Sequence, residues 1–194
     1  MSVAGTKGKE FSAQAGRDRI ISDNMKVLKA SLEHVVDPKL QDTVQRFNKI
    51  YDKLPEAATM IAERYHQILA ESPLHLNPGE VRVYLVGGRV KDKPLKEDSD
   101  IDLVITVSDP SQSMEPNIRS ISMLKEKYGE DWSTGYYYMK GLPGKMVEKD
   151  GAVRQICKEL GMPDEIHVLF FGNHMPDSIN KPGEYLLMGY RLET

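Results

Sequence analysis

The chain has 194 residues, of which 40% are hydrophobic and 28% are charged. This composition is typical of a folded globular domain and argues against a membrane protein, a disordered tail and a disulfide-stapled scaffold. Lys and Arg total 26 while Asp and Glu total 29, which gives a net charge of −3. A balance so close to neutral provides no global attraction to nucleic acid or to an acidic membrane.

The one cysteine, Cys157, cannot form an internal disulfide. This indicates a reducing compartment and excludes a structural zinc site built from paired cysteines. No segment reaches the ~20 apolar residues of a bilayer span, so we expect no membrane partner. Because the N-terminus also lacks the apolar core of a secretory signal, we expect a cytoplasmic protein, with an organelle matrix as the other location consistent with this sequence.

Residues 18–77 carry apolar side chains at helical spacing and are predicted to form two or three amphipathic helices. Residues 1–17 are predicted to be flexible from their composition. Pro38 and Pro55 stand where a helix is expected to end or to begin its first turn. A linker rich in Pro, Asn and Gly closes this helical segment, and residues 78–194 are predicted to form the core.

Beyond the linker, short β-type runs alternate with helical stretches. The strands are expected at residues 81–86, 101–107, 165–171 and, more weakly, 184–192, and the helices at 118–128 and 147–160. This alternation predicts an α+β fold, in which helices pack on a mixed sheet that follows an N-terminal helical segment.

The segment 83–106 contains the residues that indicate chemistry. One strand ends in Gly87 and Gly88, and after eleven further residues the next strand opens with Asp100 and Asp102 on either side of an isoleucine. Alternate side chains of an extended strand share a face. The two carboxylates are therefore expected to point toward one place.

Two like charges at this separation repel each other unless a cation lies between them. Mg²⁺ held by one or two carboxylates and by substrate phosphates is the usual arrangement. The glycine pair suits a tight turn whose backbone N–H groups approach an anion, aided by the positive end of a following helix. Together these features predict a phosphoryl-transfer site.

The sequence GGRVKD at residues 87–92, followed by DID at 100–102, resembles the signature of the nucleotidyltransferase superfamily, which has the fold of DNA polymerase β. The resemblance is strongest to the head domain of class II CCA-adding enzymes and bacterial poly(A) polymerases. It implies transfer of a nucleoside monophosphate from a nucleoside triphosphate such as ATP to an acceptor hydroxyl. The acceptor would be a protein, an RNA or a small molecule.

The resemblance also implies a role for each residue of the motif. Asp100 and Asp102 would be catalytic residues that ligate two Mg²⁺ ions, in the two-metal geometry of phosphoryl transfer. The glycine turn and Arg89 would hold the β and γ phosphates. The complete nucleotide-binding set expected on this basis is Gly87, Gly88, Arg89 and Ser99.

Members of this family usually bring a third carboxylate from a later strand, and the matching strand here is the run at 165–171. Either Glu165 supplies this carboxylate, as a catalytic residue and metal ligand, or His167 has replaced it and catalysis is altered or lost. The Arg-Arg-Asp-x-x-x-Asn-Ala segment of CCA-adding enzymes has no counterpart in the sequence. A tRNA terminal transferase is therefore not expected.

A second hypothesis stays open, in which the fold is a catalytically inactive binding or assembly subunit of a larger complex. His167 at the third position favours it, as does the lack of a recognisable acceptor-binding motif. The helical segment would then contact a protein partner, since its apolar stripes are wider than a small sheet is expected to cover.

Overall fold

The structure is a computed structural model, and it describes residues 4–70, 79–91, 93–108, 152–162, 166–172 and 181–192. Its elements in chain order are helices α1 (Ala4–Glu33) and α2 (Gln41–Ala70), strands β1 (Glu80–Val86) and β2 (Ile101–Ser108), helix α3 (Ala152–Glu159), and strands β3 (Ile166–Gly172) and β4 (Leu186–Arg191). The α+β fold class is thus confirmed. The predicted helix at 118–128 lies outside the described residues.

The described strands form one mixed sheet in the order β3-β2-β1-β4. Strand β1 pairs antiparallel with both β2 and β4, whereas β2 and β3 run parallel. All four predicted strand runs are confirmed, including the weaker fourth. Because β1 is antiparallel to β2 and β3 is parallel to it, the end of β1 and the start of β3 both lie beside the first residues of β2.

The N-terminal helices and the sheet share one hydrophobic core. Helix α2 packs against β1 and β4, and α1 packs against α2 and β4. One continuous cluster of buried residues includes Leu28 of α1, Ile61 of α2 and Ile105 of β2. The apolar face of the helical segment is therefore covered mainly by the sheet. No helix within the described ranges combines the length and the hydropathy of a bilayer span.

Helix α1 begins at Ala4 and therefore includes residues 4–17, a range for which the composition predicted a flexible segment. Residues 4–17 contain no proline and several good helix formers, which allow the helix to extend toward the N-terminus. The extension is also anchored, because Arg17 Nη2 donates to Glu80 Oε2 of β1 at 2.8 Å. Composition alone does not reveal this tertiary contact.

The two prolines of the helical segment behave differently. Pro38 opens a 3₁₀ turn, Pro38–Leu40, as predicted, and the carboxylate of Asp37 caps this turn. Pro55 lies inside α2 and does not end it, so that prediction is wrong. Residues on both sides of Pro55, including Leu54 and Ala58, are fully buried. Burial of this face offsets the backbone hydrogen bond that the proline removes.

Gly189 of β4 marks a very close approach between the sheet and α2. A Cβ atom at this position would lie 2.5 Å from the backbone carbonyl carbon of Ala58 and 2.5 Å from the backbone nitrogen of Thr59. The backbone of α2 could relieve this clash only if the whole helix shifted away from β4. We therefore expect Gly189→Ala to lower the free energy of unfolding by about 2–3 kcal/mol. Urea unfolding measures this change, and an unaltered midpoint would contradict the packing of β4 on α2.

Candidate active site

The start of β2 presents two carboxylates on one face of the sheet. Ile101 and Leu103 are fully buried, and strand alternation therefore turns the side chains of Asp100 and Asp102 to the other face. Both aspartates are partly exposed there. The burial of the neighbouring apolar residues thus fixes the direction of the carboxylates.

The glycine turn lies directly against one of these carboxylates. The register of the antiparallel pair places Val86, the last residue of β1, opposite Asp102. Gly87 follows with a φ of +80°, a conformation that favours glycine, and a Cβ atom there would lie only 2.7 Å from Asp102 Oδ2. The turn therefore lies so close to the carboxylate that a side chain at residue 87 would clash with it.

Across the described residues 90–91 and 93–100 the turn does not lead into an α-helix, contrary to the expectation of a helix dipole at this point. Gly87–Arg89 is a 3₁₀ turn, closed by a hydrogen bond from the backbone N–H of Val90 to the carbonyl of Gly87. The backbone N–H of Lys91 also donates to this carbonyl, at 3.2 Å. Eleven residues, 90–100, lie between the end of this turn and the first residue of β2. Any attraction of this turn for an anion must therefore come from its own backbone N–H groups and from the guanidinium of Arg89, and not from a helix dipole.

His167 of β3 is the third side chain of the cluster. The parallel register pairs His167 with Asp102, and the His167 Nδ1 atom lies 3.1 Å from Asp100 Oδ2, within hydrogen-bond distance. The His167 side chain is 47% exposed and the Asp100 side chain 45% exposed, so both are open to solvent. The structure therefore brings His167 together with both predicted aspartates.

Burial raises the pKa of Asp102 above its ordinary value, and the nearby charge of Asp100 raises it further, while His167 acts in the opposite sense. Ionised Asp102 is thus less favourable in the folded chain than in the unfolded chain. The cost of ionising Asp102 to folding stability is absent below the unfolded pKa, develops as the pH rises through the interval between the two pKa values, and is fully present above the raised folded pKa.

We therefore expect Asp102→Asn to raise the melting temperature of the metal-free protein at pH 7, by about 1–3 °C. The gain should disappear as the pH is lowered toward the ordinary pKa of an aspartate, because the wild-type carboxyl then takes up a proton. Calorimetry in EDTA across this pH range measures the effect, and Asp98→Asn, an exposed turn residue nearby, is the control. An Asp102→Asn protein that melts lower than wild type at pH 7 would contradict the charge repulsion.

The other residues predicted to bind nucleotide lie in the loop between β1 and β2. The carbonyl of Gly88 accepts a hydrogen bond from the backbone N–H of Lys93 at 3.0 Å. Arg89 donates to the Lys93 carbonyl, and its guanidinium lies 5.9 Å from the centroid of the Phe47 ring. The Ser99 hydroxyl accepts a hydrogen bond from the backbone N–H of Lys96 at 2.9 Å. Contact of these residues with a phosphate stays a prediction.

Arg46 of α2 supports the site, although no pattern in the sequence predicted this. Its Nη2 atom donates to the carbonyls of Glu97 and Ser99 at 3.0 and 2.9 Å, directly before Asp100. This arginine therefore ties the helical segment to the loop that carries the first carboxylate. Its role depends on how α2 packs beside a distant loop, and no spacing pattern in the sequence reports that contact.

Glu165 lies outside the described residues, and its role as a third carboxylate stays a prediction. Asp100, Asp102 and His167 each offer one ligand atom, and these three atoms all lie within 4.8 Å of one another. Carboxylate oxygens and imidazole nitrogens are ordinary ligands of divalent cations. The residues present therefore fit one divalent cation, and the second ion implied by the superfamily stays a prediction.

A protein-family model described as a nucleotidyltransferase domain matches residues 67–171, which is more than half of the 194-residue chain. The matched range contains the glycine turn, both aspartates and His167. A search of curated proteins found no match to the chain, and a search of solved structures found none either. The resemblance to the nucleotidyltransferase superfamily is confirmed, while the special likeness to CCA-adding enzymes and poly(A) polymerases stays a prediction.

Proposed function

Because the chain belongs to the nucleotidyltransferase domain family, we propose that it is a Mg²⁺-dependent enzyme that transfers a nucleoside monophosphate from a nucleoside triphosphate to an acceptor hydroxyl. The observation that carries this proposal is the contact of Gly87 with Asp102, beside the carboxylate of Asp100. A phosphate-approaching turn and a pair of metal-ligating groups are the two parts that phosphoryl transfer needs at one place.

Asp100 and Asp102 would hold Mg²⁺, with His167 or the predicted Glu165 as a further ligand. The bound ion would neutralise the repulsion between the carboxylates and polarise the phosphate that is attacked. Both aspartates are partly exposed, so a triphosphate can reach them from solvent. The burial of Ile101, between them, and of Leu103, after them, keeps the two carboxylates on the same face, which spares the cost of orienting them when substrate arrives.

The glycine turn has a separate role in binding the triphosphate. The first N–H groups of a 3₁₀ turn have no acceptor within the turn itself, so those of the turn at 87–89 are suited to phosphate oxygens. Because residue 87 is glycine, the space beside the Asp102 carboxylate stays open; a Cβ atom at residue 87 would fill it. The turn therefore allows phosphate and carboxylate to approach each other closely enough to share a cation.

The proposal is tested by incubating the full chain with α-labelled nucleoside triphosphates, Mg²⁺ and three classes of acceptor: the protein itself, RNA, and a small-molecule extract. We expect label on one acceptor class together with an equal amount of released pyrophosphate. Calorimetry with a non-hydrolysable triphosphate runs in parallel. A chain that binds no triphosphate, with Mg²⁺ or with EDTA, would contradict the proposal.

His167 supports a second candidate function, because an imidazole occupies the position beside Asp102 where the superfamily implies a carboxylate. In this alternative the fold is a catalytically inactive binding or assembly subunit of a larger complex. The same experiments separate the two functions. Mg²⁺-dependent triphosphate binding without pyrophosphate release from any nucleotide or acceptor would favour the binding subunit over the enzyme.

A further inference from the structure

The donor set at the start of β2 is chemically mixed. It combines two carboxylates, from Asp100 and Asp102, with the imidazole of His167, whereas the resemblance implies carboxylates alone. We propose that His167 ligates the metal of this site through its imidazole nitrogen and that the site consequently selects Mn²⁺ over Mg²⁺. This inference rests on the proposed function, since it concerns the same metal.

The spacing of the donor atoms supports ligation by His167. Nδ1 of His167 lies 3.1 Å from Asp100 Oδ2. Two donors at right angles around an ion, each at about 2.1 Å from it, are about 3 Å apart. The imidazole and the carboxylate therefore already have the separation of neighbouring ligands, and a cation would replace the proton between them, which leaves to solvent.

The position of His167 is explained poorly by a role in stability. Its side chain is 47% exposed and that of Asp100 45% exposed. An exposed ion pair of this kind contributes little to stability, because water screens it and the side chains lose freedom in forming it. The parallel register of β2 and β3 nevertheless places His167 directly beside Asp102, where its ring faces the carboxylate pair.

The nitrogen donor is what changes the preferred metal. Mg²⁺ is a hard cation that keeps oxygen ligands and releases water reluctantly, so an imidazole adds little to its binding. Mn²⁺ accepts imidazole nitrogen as well as carboxylate oxygen and belongs to the transition-metal series in which nitrogen ligands increase affinity. A site with two carboxylates and one imidazole should therefore discriminate between these ions more strongly than a site of three carboxylates.

Two variants make this testable without reference to turnover. His167→Asp restores an all-carboxylate set, and His34→Gln changes an exposed histidine that follows the end of α1, far along the chain from the site. Pulsed electron paramagnetic resonance on the Mn²⁺-loaded full chain detects directly bonded ¹⁴N. We expect ¹⁴N coupling in the wild type and in His34→Gln, and none in His167→Asp.

Competition between Mn²⁺ and Mg²⁺, followed by calorimetry with and without a non-hydrolysable triphosphate, measures selectivity. We expect the ratio of the two affinities to fall at least tenfold in His167→Asp while His34→Gln keeps the wild-type ratio. Bound Mn²⁺ without ¹⁴N coupling, or a ratio that His167→Asp leaves unchanged, would overturn this inference and leave the proposed function standing. A wild-type chain that binds neither ion under either condition would overturn both.

Discussion

Replacing either Asp100 or Asp102 with Asn should lower the rate of nucleotidyl transfer by about 10³-fold or more, equivalent to about 4 kcal/mol of transition-state stabilisation. Each carboxylate contributes negative charge and a ligand atom to a cluster whose donors lie within 4.8 Å of one another. The amide of Asn has nearly the same shape but no charge. The loss should therefore fall on metal binding and catalysis and not on the fold.

The matched control for these variants is Asp98→Asn, which removes a carboxylate from an exposed turn two residues before Asp100. It should transfer nucleotide at the wild-type rate. Single-turnover assays with α-labelled triphosphate, performed beside melting curves, separate catalysis from stability. Transfer that survives both Asp100→Asn and Asp102→Asn would place the active site elsewhere in the chain.

Gly87→Ala should be the most damaging change that leaves every charged group in place. The φ of +80° at this residue disfavours alanine, and the added Cβ would lie 2.7 Å from Asp102 Oδ2. Strain in the left-handed region costs about 1–2 kcal/mol of stability. The Asp102 carboxylate must also shift to make room for the Cβ. In addition to the loss of stability, we therefore expect kcat/KM to fall by about 10²-fold, because small misplacements of catalytic groups have effects of this size.

Gly161→Ala separates the two effects of that substitution. Gly161 has a φ of +63°, and a Cβ atom there would meet nothing within 4 Å. This variant should lose a similar amount of stability through backbone strain and keep its transfer rate. Comparison of kcat/KM and of the melting temperature for both variants checks the expectation. Equal activities would show that contact with Asp102 does not matter for catalysis.

The strands and the direction of the two aspartates were predictable because both depend on local alternation. Ile101 and Leu103 had to enter the core, and that requirement turns Asp100 and Asp102 outward whatever else the chain does. The end of β1 was likewise predictable from the glycine pair. Gly87 adopts a left-handed conformation, with a positive φ that glycine takes up more readily than any other residue type.

The features that escaped prediction depend on contacts between distant parts of the chain. The hydrogen bonds of Arg46 to the carbonyls of Glu97 and Ser99 require α2 to lie beside the loop before β2. The sequence predicted Glu165 or His167 as the third group of the site, but the direct contact of His167 with Asp100 requires the parallel register of β2 and β3. Helix packing likewise decides that Pro55 stays within α2, because local propensity favours a break.

The structure gives the helical segment a role that its sequence pattern did not predict. Its apolar stripes suggested a surface for a partner, yet they pack on β1 and β4 and form one core with the sheet. Through Arg46 the same segment also holds the loop that precedes Asp100. We therefore regard the two helices as part of the scaffold of the proposed active site.

The central claim is that Asp100 and Asp102 hold a divalent cation beside the glycine turn, and that a triphosphate binds to both the cation and the turn. Crystals grown with Mn²⁺ and a non-hydrolysable nucleoside triphosphate test this claim most directly, because the anomalous signal of manganese locates the ion. We predict a peak at about 2.0–2.3 Å from an oxygen of each aspartate, with the phosphates against the turn at 87–89. A triphosphate bound elsewhere, or a manganese peak that touches neither aspartate, would contradict it.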